Sequence, residues 1–238
     1  MPIRHTLDST PIEESTPTGP ASRHPTSTGS QLELYWIPVG AGARVVRTSG
    51  RIYERCIAMA QRRPAQPLLH SALVADTDQG RYYAEMTPVP RNGTSELRGV
   101  VGGGAVGSRT LGRLRVFRYE IRCWLDGVIP DLNWAVDSPV VISTDADEVR
   151  RVLALLPLVP GVVWGRDELR TGEMWNSNSV ISWALERAGI SNRAGPPPRN
   201  GRAPGWDAGI AVARREPRTG PSAQGAGTNL STNAKSSA

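Results

Sequence analysis

A chain of 238 residues can hold one large domain or two small ones, and its 28 basic and 22 acidic residues leave a formal charge of +6. The excess is carried by arginines scattered among acids, with Lys235 the single lysine, and no basic stripe with interleaved aromatics singles out a nucleic-acid surface. Cys56 and Cys123 make no disulfide framework, and no apolar run has the length of a signal peptide or a membrane span. The expectation is a cytoplasmic protein with no specific nucleic-acid partner and no membrane span.

The two ends differ from the middle. Residues 1–30 repeat Ser, Thr and Pro with almost no large apolar side chains, and 215–238 repeat the pattern with Gly added. Such segments bury too little apolar surface to offset the entropy of ordering them, which predicts disordered tails around one domain at 31–214. Within it, "LELYWIPV" (32–39) alternates Leu32, Leu34 and Trp36 and reads as a strand. "SGRIYERCIAMAQRRP" reads as a helix from Ser49 to the stop at Pro64. "LLHSALVADTDQGRYYAEMTPVP" reads as two strands around a polar turn. "GVVGGGAVGSRTLGRLRVFRYEIRCWL" is a glycine-rich loop entering a long β-type run whose apolar face switches near Phe117. "STDADEVRRVLALLP" is a helix with Thr144 as cap and Val149, Val152, Leu153 and Leu156 on one face. A second helix occupies the end of "EMWNSNSVISWALERAG", stopping at Gly189, and "AGIAVAR" closes the domain as a short strand. Helices and antiparallel strands mix without a βαβ rhythm, so the predicted class is α+β, an antiparallel sheet packed with a few helices.

Cofactor and metal signals fail on inspection. "GGGAVG" (102–107) satisfies G-x-G-x-x-G, but a strand pattern follows where a dinucleotide fold needs a helix. "DTDQG" (76–80) starts like a calcium loop and supplies no downstream ligands. No cofactor and no metal are expected.

Of three histidines, His5 and His24 lie in the N-terminal tail, so imidazole chemistry near neutral pH falls to His70. The plainer role for His70 is a strand histidine bonding a carbonyl. If Ala75 faces Gly80 across the turn, His70 faces Glu85, with Cβ atoms about 4.5–5.5 Å apart, and the carboxylate can orient the ring. At the mouth of the second helix stand Trp175, Asn176, Ser177, Asn178 and Ser179. A helix N-terminus presents unpaired N–H groups that suit a nucleophile at Ser177, with Asn176 and Asn178 as amide donors; the alternative is that Ser177 is the N-cap.

"HSALVADTDQGRYYAEMTPV" followed at a distance by "NSNSVI" resembles the permuted papain-like fold, in the lecithin–retinol acyltransferase-like branch of the NlpC-type superfamily. The resemblance implies His70 as base, Glu85 as its orienting partner and Ser177 at the nucleophile position, with Asn176, Asn178 and Trp175 around an oxyanion and substrate pocket. It covers roughly residues 68–90 and 173–189. The phrases "LYWIPVGAG", "HSAL", "WGRDEL", "MWNSNSVISWAL" and "GRAPGWDAGI" also resemble a bacterial family to which no activity is attached. Serine stands where the superfamily has cysteine, and a hydroxyl must lose its proton during attack, whereas a thiol at a helix mouth is readily ionised. Two functions follow: a Ser-His-Glu hydrolase or acyltransferase of amide, thioester or ester bonds, or a catalytically silent module for a peptide or acyl ligand. The partner in either is a small molecule or peptide.

Overall fold

The computed structural model describes residues 29–40, 62, 64–90 and 99–216. The helix expected at 49–64 and nearly all of both expected tails lie outside these residues.

Six strands form one antiparallel sheet: β1 (Gln31–Pro38), β2 (Leu69–Thr77), β3 (Gly80–Pro88), β4 (Val100–Ala105), β5 (Arg118–Leu125) and β6 (Val140–Ser143), in the spatial order β4-β5-β3-β2-β1-β6. Three helices follow the sheet in sequence: α1 (Ala146–Leu155), α2 (Ser177–Ala188) and α3 (Trp206–Arg215). The α+β class expected from the sequence is the class observed.

Alternation along each strand separates the two faces. Leu32, Leu34, Trp36, Leu69, Leu73, Ala75, Ala84, Met86, Tyr119 and Ile121 join Val149, Val152, Leu156, Val180, Ile181, Ala184 and Leu185 in the main core between sheet and helices. The opposite face carries a smaller cluster in which Ile37 and Ala72 meet Ile129, with Tyr35, Tyr83, Trp124, Leu132 and Ala135 against it. Residues 126–135, between β5 and β6, supply that second cover.

The helix starts differ from expectation by one residue. Asp145, not Thr144, caps α1, its carboxylate accepting from the N–H groups of Asp147 and Glu148. The larger correction is at the end of the domain, where "AGIAVAR" is helix and not strand. The alanine-rich run has high helix propensity. A Cβ on Gly209 would lie 2.1 Å from the Ser179 carbonyl oxygen. Glycine there brings the two helix backbones together, an approach closer than any side chain permits. Trp206 at the head of α3 then packs against Trp36 with the rings tilted, centroids 4.9 Å apart.

The long β-type run after the glycines is broken. The glycines sit inside β4, and two 3-10 turns, Leu111–Arg113 and Arg115–Phe117, precede β5. The switch of apolar face near Phe117 is thus these turns, and a separate register shift in the β4–β5 pairing lies between Val100 and Gly102. Tyr119 explains one glycine: a Cβ on Gly104 would lie 2.7 Å from the tyrosine ring and hydroxyl. That hydroxyl donates a buried hydrogen bond of 2.8 Å to the Val162 carbonyl. Gly104→Ala is therefore expected to displace the ring and cost about 1–3 kcal/mol, read as a lowered midpoint in urea unfolding. An unchanged midpoint would show that the ring shifts freely.

Candidate functional site

The β2–β3 hairpin turns more tightly than expected. Thr77 pairs with Gly80 and Ala75 with Tyr82, so only Asp78 and Gln79 form the loop. The Thr77 hydroxyl fixes this turn, accepting from Gln79 N–H at 3.2 Å and donating to the Gly80 carbonyl at 2.9 Å. The expected Ala75–Gly80 register is two residues out. A two-residue slip preserves the face of each side chain but not its partner. His70 pairs across β1 with Ile37, and Glu85 pairs across β5 with Arg122.

The hairpin also does not stay closed. Its ladder runs only from Thr77–Gly80 to Leu73–Ala84. Beyond it β2 remains paired with β1 down to Leu69, and β3 with β5 to Pro88. The two strands thus part in the middle of the sheet. Backbone groups facing such a notch need other partners. The segment at Arg202 supplies them: Leu69 N–H donates to the Arg202 carbonyl at 2.7 Å, and Arg202 N–H to the Pro67 carbonyl at 2.8 Å.

The polar mouth of α2 completes this closure. Asn176 is the N-cap; its side-chain oxygen accepts from Asn178 N–H at 2.9 Å and Ser179 N–H at 3.4 Å. The Ser179 hydroxyl returns the favour by accepting from Asn176 N–H at 3.1 Å, a reciprocal capping box. Ser177 is therefore the first helical residue and not the cap. Asn178 Nδ2 donates to the Leu69 and Pro204 carbonyls, each at 2.9 Å. Asn176 Nδ2 donates to the Pro204 carbonyl at 2.8 Å. The hydroxyls of Ser179 and Ser182 donate to the carbonyls of Gly205 and Trp206, both at 2.7 Å. Both amides expected to hold an oxyanion thus bind carbonyls of the chain itself. Trp175 is buried in the main core.

His70 lies elsewhere. Leu69 and Leu73 face the helices, whereas Ala72 faces the 126–135 cover, so alternation sends His70 to that second face. Electrostatics agree. Burial pushes the His70 imidazole down to about 4, and the neighbouring Asp131 opposes this. Glu85, on the same face, is pushed up to about 7 by burial, with Arg122 lowering it and Asp131 and Glu120 raising it. Arg122 holds the group together, its Nε 2.7 Å from Glu120 and its Nη1 3.5 Å from Glu85, with the guanidinium over the Trp124 ring. The structure brings His70 and Glu85 to one face beside Asp131, whereas the apolar stripe of α2, the helix that opens at Ser177, packs in the core on the opposite face. Among the described residues no hydrogen bond joins Ser177 to His70, and Glu85 is paired with Arg122 instead.

Sequence reading missed Glu120, Arg122 and Asp131 as companions of His70 and Glu85. The visible signal was an acid and a base two residues apart in a strand, which share a face. No protein-family model, curated protein or solved structure matches the chain. Among the described residues no group of acids, histidines or cysteines could hold a metal ion, and no helix is long and apolar enough to cross a membrane.

Proposed function

We propose that the domain is a silent binding module of permuted papain-like descent, taking a peptide or acyl ligand, and that it does not run Ser-His-Glu hydrolysis or acyl transfer. One observation supports this reading: the core stripe of α2 packs on the sheet face opposite to the one that His70 shares with Ala72, and among the described residues no hydrogen bond joins Ser177 to His70. A general base must come within hydrogen-bond reach of the proton it removes, about 2.6–3.2 Å or one water away. The closure of the α2 mouth supports the same reading, because Asn178 spends both amide protons on Leu69 and Pro204.

Treatment of the full chain with a fluorophosphonate probe, followed by mass mapping, is expected to leave Ser177 unlabelled. In a folded Ser177→Cys variant, iodoacetamide should alkylate the new thiol no faster than an ordinary free cysteine. Rapid labelling of Ser177 by the probe would restore the hydrolase reading. The binding half has its own test: native mass spectrometry should find a peptide or acyl compound retained by the folded protein. A protein that retains none and takes none from a library of both removes it.

A further inference from the structure

Residues 107–118, "GSRTLGRLRVFR", contain four arginines and no acid. They leave the sheet after β4 and return at β5, closed at the base by Val106 N–H donating to the Phe117 carbonyl at 2.8 Å and Gly107 N–H to the Trp164 carbonyl at 2.9 Å. Between these points run the two 3-10 turns, neither of which buries a residue. Leu111, Leu114 and Val116 are 43%, 56% and 66% exposed. Arg113, Arg115 and Arg118 are exposed beside them. Arg109 is held by Glu168 at 2.9 Å, and Arg115 reaches the Pro90 carbonyl at 3.3 Å. On a further 3-10 turn against β4, Leu158 is 66% exposed.

Single exposed apolar residues need no explanation. Here three large ones fall within six residues, alternate with arginine, and contribute nothing to the core. Neither turn buries a residue, so the apolar side chains and the arginines stand together in solvent. We propose that this knuckle docks the protein on an anionic bilayer surface. There Leu111, Leu114 and Val116 enter the boundary between headgroups and acyl chains while the arginines meet lipid phosphates and anionic headgroups. Nucleic acid would satisfy the arginines and leave the three apolar side chains in water.

The experiment is co-sedimentation of the full chain with phosphatidylcholine vesicles, with and without phosphatidylserine. Binding is expected only with phosphatidylserine and should weaken as salt screens the charges. Leu114→Ser with Val116→Ser leaves the charge unchanged and should weaken binding by on the order of tenfold. Arg113→Ser with Arg118→Ser should weaken it by at least as much, about fivefold per arginine. Thermal melts establish that both variants are folded, as expected for exposed positions. Absence of phosphatidylserine-dependent binding overturns the proposal. So does binding that survives both variants, which would place it elsewhere on a basic chain. Loss with the arginine variant alone, matched by duplex DNA binding of similar strength, would make the knuckle a mere polyanion patch. A dimer abolished by the Leu114/Val116 variant, with no vesicle binding, would assign the surface to self-association.

Discussion

Asn178→Leu is expected to lower the melting temperature of the protein by about 6 °C. The side chain is 2% exposed, and its Nδ2 is the donor to two carbonyls, of Leu69 in β2 and Pro204 ahead of α3. Leucine matches its size and offers no proton. The Pro204 carbonyl keeps Asn176 Nδ2 as a donor, so the Leu69 carbonyl alone is stripped, at a cost of about 1–3 kcal/mol. Asn178→Asp sharpens the test. Asn178 Oδ1 accepts from no described group, so aspartate keeps the shape and loses only the donors. Its charged form would face two carbonyl oxygens, which raises its folded pKa above the unfolded value of about 3.9. The penalty is absent below that value and grows as pH rises through the folded pKa. Thermal melts of Asn178→Asp at pH 4 and pH 8 should therefore diverge from those of the parent, more at pH 8. A melting temperature for Asn178→Leu within about 2 °C of the parent would show that the bridge contributes nothing.

Glu85→Gln should stabilise the protein in alkaline solution. The glutamate is 7% exposed and its pKa is raised from 4.5 to about 7, chiefly by burial. The folded state thus holds a proton that the unfolded chain has released. Stability falls as pH rises from 4.5 to about 7 and is level above that. At about 1.4 kcal/mol for each pKa unit, the penalty at pH 8 is about 3 kcal/mol, and glutamine removes most of it. His70 acts with the opposite sign. Its pKa is lowered from 6.5 to about 4, so stability is lost as pH falls through that window. Between pH 4.5 and 6.5 the two slopes oppose each other in the parent. Urea unfolding across pH 4 to 8 should give a Glu85→Gln profile that climbs to about pH 6.5 and then stays level. His70→Phe should give one that declines from 4.5 to about 7. The charged groups acting on this pair are Asp131, Arg122 and Glu120. A Glu85→Gln profile parallel to the parent would show that the carboxylate is well solvated.

β1 was legible because it alternates, Leu32, Leu34 and Trp36 all pointing inward as their spacing requires. β2 and β3 were legible from the polar turn between them, whereas β4 reads as a glycine-rich loop and β6 is not seen. α1 was legible from an amphipathic stripe, and α2 from its capping residues and Gly189, which takes the left-handed φ of 82°. What failed depended on partners far away in the chain. "AGIAVAR" has alternating apolar residues, but docking against α2 decides for helix, and that docking hinges on Gly209 meeting Ser179. The hairpin register hinged on Thr77, whose hydroxyl selects a two-residue loop over a longer one. The polar mouth of α2 was seen as a cluster, correctly, but its purpose was hidden because Pro204, Gly205 and Trp206 receive the hydrogen bonds. His70 and Glu85 were placed on one face by parity, which a two-residue slip leaves intact. Ser177 could not be placed relative to them, since nothing local says which side of the sheet a later helix will cover.

The parting of β2 from β3 has a consequence for the order in which the chain can be made. All six strands have been synthesised once Ser143 has emerged, yet the carbonyl of Leu69 waits for Asn178 and its amide for Arg202. Until then a growing chain carries a sheet with an unlatched seam, its open backbone groups bonded to water or to whatever strand comes near. Domains form from the N-terminus outward during synthesis, and unpaired strand edges invite misassembly. The last fifth of the domain is thus a closing latch. A ribosome that stalls before Pro204, or a protease that cuts between α2 and Arg202, would release a nearly complete sheet that cannot seal itself.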